Sequence, residues 1–147
     1  MNIKARTVLA NSLITFLANQ CLVMEQKTSS SFLITRLPFE GYNGLTVEVL
    51  IEKTSVGFCL HDGGRIVHYL RDHGIRLDAK SKPPIIARRL YKRLSERFDF
   101  ALDEDGRRFS RNIPELDGCA VFKFAMAMGQ MTFAVAPSLL RRKRATS

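Results

Sequence analysis

The sequence predicts an α+β domain: a mainly antiparallel sheet with amphipathic helices packed on it. Three observations point there. Residues 45–52 alternate, with Leu45, Val47, Val49 and Ile51 set against Thr46, Glu48 and Glu52, the period of a strand with one wet face. Turn chemistry recurs between short apolar runs, at Glu40-Gly41-Tyr42-Asn43-Gly44 and at Glu104-Asp105-Gly106. Segments of helical period separate these runs, which favours hairpin-joined strands over a parallel α/β sheet.

The expected element order is α-β-β-β-α-α-β-β-α. Residues 4–23 read as a first helix. Thr7, Asn11, Thr15 and Asn19 recur every fourth position as a polar stripe, opposite Leu9, Leu13, Phe16 and Leu17. The polar run Thr28-Ser29-Ser30-Ser31 precedes a strand at 32–37, which stops at Pro38. The alternating strand at 45–52 and an apolar, central strand at 56–61 follow. Asp62-Gly63-Gly64 then offers a carboxylate for the orphan amides of a new helix and glycines for a sharp turn. That helix, at 65–73, ends at Gly74, a suitable left-handed cap. Residues 80–84 form a linker, and Pro84 suits the first turn of the helix at 85–98. Ile86, Leu90, Leu94 and Phe98 form its expected apolar stripe. A hairpin at 100–110 leads to a last helix at 115–134, opened by Pro114 and Glu115, with Val121, Phe124, Met128 and Met131 inward. One domain over residues 1–136 and a basic tail over 137–147 are expected.

The chain has 147 residues, enough to bury a core without staples. Cys21, Cys59 and Cys119 are odd in number, lie far apart and form no C-x-x-C, so neither a disulfide framework nor a zinc knuckle is indicated. A reducing, cytoplasmic setting is the simpler expectation, with each cysteine a small buried residue. The first helix carries too many polar side chains for an exported leader. The apolar stretch 118–136 contains Lys123, Gln130 and Thr132 and suits a buried or interface helix, not a membrane span. No cofactor, metal or membrane is implied.

The net charge of +9 is unevenly distributed. Residues 61–98 carry ten basic and four acidic side chains, and residues 137–147 carry four basic and none acidic. Arg89, Arg93 and Arg97 form one row on the helix at 85–98, with Arg88 and Lys92 in a second row beside it. Like charges at this spacing repel, a cost that an anionic partner offsets and that a merely solvated face leaves in place. Arg65, Arg71 and Arg76 extend the basic set, as do Arg141, Arg142, Lys143 and Arg144 in the tail. No zinc finger or aromatic RNA platform accompanies the charge, so sequence-specific readout is not indicated.

Catalysis has one candidate constellation, His61 and Asp62 at a strand-to-helix turn, with His68 and His73 downstream. The two downstream histidines are five apart and so do not form an i,i+4 metal pair. No H-E-x-x-H, G-x-S-x-G or Walker motif occurs. Asp62 reads first as a cap, with Gly63, Gly64 and Gly74 as turn residues.

From Leu45 to about Val135 the sequence resembles a prokaryotic family of unknown function often encoded in phage, prophage and mobile-element regions. The likeness rests on Asp62-Gly63 after a strand and on Leu70 with Gly74-Ile75 at the following helix end. It implies an α+β fold and brings no catalytic residues. It also implies a setting in which small proteins bind host defence complexes, an anti-CRISPR-like inhibitor being the concrete form. The expected function is therefore non-enzymatic binding of nucleic acid, an acidic host protein or a nucleoprotein complex through the basic helix. The alternative is a nucleic-acid-processing or hydrolytic enzyme centred on His61 and Asp62. Apolar side chains on more than one face of the last helix, Phe122, Phe124, Met128 and Met131 among them, fit either a fully enclosed helix or a homodimer seam, and the sequence is read as leaning to the seam.

Overall fold

The chain is described by a computed structural model covering residues 3–20, 22–26, 31–78 and 85–136. Helix α1 (Ile3–Gln20) leads into strand β1 (Leu22–Gln26), then β2 (Ser31–Thr35), β3 (Val49–Thr54) and β4 (Gly57–His61). Helices α2 (Arg65–Asp72) and α3 (Ile85–Phe98) follow, then β5 (Ala101–Leu102), β6 (Phe109–Ile113) and α4 (Gly118–Met131). The sheet order is β1-β2-β3-β4-β6-β5, every pair antiparallel. The fold is α+β, as the sequence predicts.

Several boundaries differ, each for a local reason. The first helix stops at Gln20, and Leu22–Gln26 becomes an edge strand registered on β2 through Val23 opposite Ile34. This strand adds one element to the expected order. β2 ends at Thr35 because Arg36 takes a left-handed φ of 56° ahead of Pro38. The alternating segment enters the sheet only at Val49, while Thr46 bridges back to Glu40 around a 3-10 turn at Tyr42–Gly44. Val47, Val49 and Ile51 are all buried, so the alternation identified the inward face correctly. Val56 lies in the β3–β4 hairpin turn and is exposed. The strand starts at Gly57, whose φ is 151° and where a Cβ would lie 2.3 Å from the Ile113 carbonyl oxygen. Only glycine lets β4 and the end of β6 approach so closely. Pro114 and Glu115 stay outside the last helix, which opens where Asp117 Oδ1 accepts from the Cys119 amide at 2.9 Å.

Directly opposed residues in the register share a face. One face presents Val49, Ile51, Leu60, Phe109 and Ile113, and it carries the core. Helix α4 packs against β3 and α3, and the 3-10 turn that continues it (Thr132–Val135) packs against α2 and α3. Phe124, Met128 and Met131 are completely buried by the chain's own elements. This corrects the dimer-seam expectation for these three: α4 is apolar on several sides because neighbours cover several sides. Phe122 alone of that set is half-buried, edge-on to Phe39 at 5.7 Å. The described residues contain one stretch long and apolar enough to cross a membrane, Gly118–Val135, and it is mostly buried in this core.

Phe124→Ala is expected to lower the unfolding free energy by about 3–5 kcal/mol in urea titrations, the range for emptying an aromatic core site. The loss should be the same at every protein concentration. A loss below about 1 kcal/mol, or one that grows on dilution, would mean that Phe124 is not a core residue.

Candidate nucleic-acid interface

The cationic residues of α3 depend on how that helix is rotated against the core. Good helix formers (Ala, Leu, Arg, Lys and Glu) fill most of it. Its inward side is Ala87, Leu94 and Phe98, with Leu90 and Tyr91 partly buried. Ile86, expected inward, is half exposed instead. The reason lies at Tyr91, whose phenol oxygen accepts the Leu102 amide at 2.9 Å while its ring lies 5.6 Å from Phe109. A tyrosine with a partner for its hydroxyl can be buried. Turning it inward brings Ala87 in and takes Ile86 out.

With that rotation Arg88, Arg89, Lys92, Arg93 and Arg97 all face solvent. None forms an ion pair with a carboxylate among the described residues. Glu96 is the one acid on the helix and follows Lys92 at i+4, at the end of the Arg88–Lys92 row. Arg97 lies over the Phe98 ring at 5.2 Å, in the last turn, where the helix dipole favours a cation. The rows run from Arg89 to Arg97, about 12 Å along the axis at 1.5 Å per residue.

The other basic residues do not join this cluster. Arg65 opens α2 and donates to Thr46 Oγ1 at 3.3 Å, and Arg76 is exposed beyond the far end of α2. Arg71 is structural: it reaches the Asp78 carboxylate at 2.9 Å and the Gly106 carbonyl at 2.6 Å, tying the β5–β6 hairpin to α2. Arg141, Arg142, Lys143 and Arg144 lie outside the described residues, as do Cys21 and the linker at 80–84; the side chain of Leu17 lies outside them as well.

The turn after β4 is built from its own polar groups. Asp62 accepts from the Gly64 amide at 2.9 Å and from the Ile66 amide at 3.0 Å, capping α2. Burial pushes the Asp62 carboxyl up from its ordinary range, against the downward pull of those two amides. Gly63 and Gly64 have φ of 72° and 82°, and a Cβ on Gly64 would meet the Arg107 carbonyl oxygen at 2.7 Å. At the other end Gly74 (φ 79°) lets the Ile75 amide return to the Leu70 carbonyl at 2.9 Å. His61 is buried, and its Nδ1 accepts the Gly63 amide at 3.0 Å. That bond leaves the ring proton on Nε2, which lies 3.0 Å from Glu52 Oε1 without good hydrogen-bond geometry. In this tautomer neither ring nitrogen is a free base.

Sequence reasoning missed a row of polar groups on the sheet face opposite the core. Register places Glu52 opposite Cys59 and His61 opposite Ser110. Asp103 accepts from Ser110 Oγ and from Arg108 Nε, the latter at 2.7 Å. Burial raises the Asp103 carboxyl, but the bonds from Ser110 and Arg108 outweigh it and hold the carboxyl below its ordinary range. Burial pushes the Cys59 thiol up, more than Arg108 draws it down, so the thiol is not an activated nucleophile. Only pairing Glu52 with β4, and the β5–β6 hairpin with Asp103, reveals the row; no local spacing in the sequence announces it. The described residues include no group of three or more His, Cys, Asp or Glu able to hold a metal ion.

Asp103 ties acid stability to this row. Its folded-state pKa lies below the unfolded value, near 3.9, so its contribution is present above about pH 4 and is lost as the pH falls through the lower folded value. Asp103→Asn should flatten stability against pH below about pH 4 and cost about 1–2 kcal/mol at pH 7, read by urea midpoints. An unchanged acid limb would disprove the role of Asp103.

No protein-family model matches the chain, and neither a curated protein nor a solved structure is significantly similar to it.

Proposed function

We propose that this chain is a non-enzymatic binding protein that holds nucleic-acid phosphates on the outward face of α3. The observation that carries the reading is the set of five exposed cations on one helical face, with no carboxylate paired to any of them among the described residues. Adjacent like charges raise the energy of the isolated helix, and phosphates relieve it while releasing their condensed counterions. Guanidinium groups match phosphate oxygens in forked geometry, which suits the four arginines of the set. At about 3.4 Å per nucleotide along one strand, a 12 Å row spans three to four phosphates.

The face lacks stacked aromatic side chains and base-reading motifs, so binding should track the backbone with little sequence preference. The occupied ring of His61, the capping role of Asp62 and the protonated thiol of Cys59 support binding over hydrolysis. The likeness of the Asp62-Gly63 turn and the Leu70–Ile75 helix end to a phage-associated family favours a cytoplasmic anti-defence setting. There the same face would grip guide or target phosphates within a nucleoprotein complex.

Binding of short labelled DNA and RNA, followed by fluorescence anisotropy over a salt series, tests this. Wild-type affinity should fall steeply with salt. Arg89→Glu with Arg93→Glu should weaken binding at least tenfold at low salt and reduce the log–log slope by about 2, close to 0.9 per lost duplex contact. The variant's circular dichroism should match wild type. Absence of binding at low salt, or a slope unchanged by the reversal, would refute the proposal.

A further inference from the structure

Helix α1 and the rim of the sheet present two unfilled apolar surfaces. On α1, Leu9, Leu13 and Phe16 fall on one stripe and remain 50%, 54% and 57% exposed. No other element of the described residues packs substantially against this helix. At the β1 edge a groove of about 360 Å³ opens between the sheet and the start of α4. Its walls are almost entirely apolar and include Val23, Phe32, Ile34, Leu116 and Phe122. The groove exists because α4 lies over β3 and stops short of β1 and β2.

The helix cannot readily fill its own groove. Only one residue, Cys21, separates Gln20 from Leu22. Helix-to-strand reversals that stack a helix back on its sheet normally take two to six connecting residues. The root of α1 is at the edge strand β1, where the helix can instead reach a neighbouring molecule. The charges agree with such a neighbour being a second copy. α1 begins with Lys4 and Arg6 and contains no acid, while Asp117 lines the groove and the exposed Glu115 precedes it by two residues.

We propose that the protein forms a two-fold homodimer in which α1 of each copy lies in the β1–β2–α4 groove of the other. The exchange is isologous, since each copy gives one helix and receives one. It buries Leu9, Leu13 and Phe16 against Val23, Leu116 and Phe122. It involves neither the α3 basic face nor any completely buried residue of α4.

Light scattering after gel filtration, with the full chain at several concentrations, tests the exchange. Wild type should run at twice the 16.7 kDa chain mass. Leu13→Glu with Phe16→Glu on the helix, and separately Leu116→Glu on the groove, should each give monomer. All three positions are exposed in a single copy, so the melting of the remaining core by circular dichroism should stay cooperative. Mixing the two variants should restore a dimer, because one intact helix then meets one intact groove. A monomeric wild type would overturn the proposal and point to another occupant, such as the terminal segment 137–147 or a different protein. A dimer that survives both sets of changes, or variants that stay monomeric when mixed, would overturn it equally.

Discussion

The aromatic junction of Tyr91, Phe100, Phe109 and Phe124 is the interaction on which the rest of this structure depends. Phe100 stands edge-on to Phe109 at 5.4 Å and to Phe124 at 6.4 Å, and Tyr91 lies against both Phe100 and Phe109. Four segments therefore meet at one point: α3, the residue before β5, the first residue of β6 and the middle of α4. Phe109 and Phe124 are fully buried, and each such ring stabilises the fold by roughly 1.5–3 kcal/mol through area removed from water alone. Edge-to-face geometry adds to this and fixes direction. Because the Tyr91 hydroxyl also holds the Leu102 amide, α3 has one preferred rotation about its axis. The outward display of Arg88, Arg89, Lys92, Arg93 and Arg97 follows from that rotation.

The two sheet faces have been given different work. The core face is closed by α4, α3 and the turn that follows α4. The opposite face carries polar groups held in place locally: Asp103 accepts from Ser110 and Arg108, and Glu52 lies beside His61, whose Nδ1 accepts the Gly63 amide. A row of titratable groups across β3, β4 and the β5–β6 hairpin invites a catalytic interpretation, but burial and local hydrogen bonds engage its members structurally. The thiol is pushed up, the Asp103 carboxylate is held ionised by an arginine, and the imidazole accepts a backbone amide through the nitrogen a base would need. These are the marks of groups that hold a turn and an edge hairpin in place.

The legible parts of the sequence were those with local causes. The alternation in 45–52 identified the inward valine and isoleucine positions, and the bounds of α3 were read as Ile85–Phe98 and found there. The β5–β6 hairpin was visible in Glu104-Asp105-Gly106. Whatever depended on tertiary partners was not legible. β1 has no alternation of its own and becomes a strand by pairing with β2. Ile86 and Ala87 exchanged roles because a tyrosine hydroxyl found an amide across the core. Arg71 looked like one more surface cation and is instead tied to Asp78 and Gly106. The apolar breadth of α4 suggested a second molecule at Phe124, Met128 and Met131, yet the same breadth is what a helix needs when the sheet, α3 and the following 3-10 turn pack against it.

The proposed phosphate contact lies on one helical face, whose outward direction the aromatic junction sets. Amide chemical-shift mapping of the isotopically labelled chain, titrated with a short single-stranded DNA, tests this most directly. The largest shifts are expected on residues 88–97, with α4 and the polar row at Glu52, His61 and Asp103 unmoved. Shifts centred on His61 and Asp62, or spread over no single face, would contradict it.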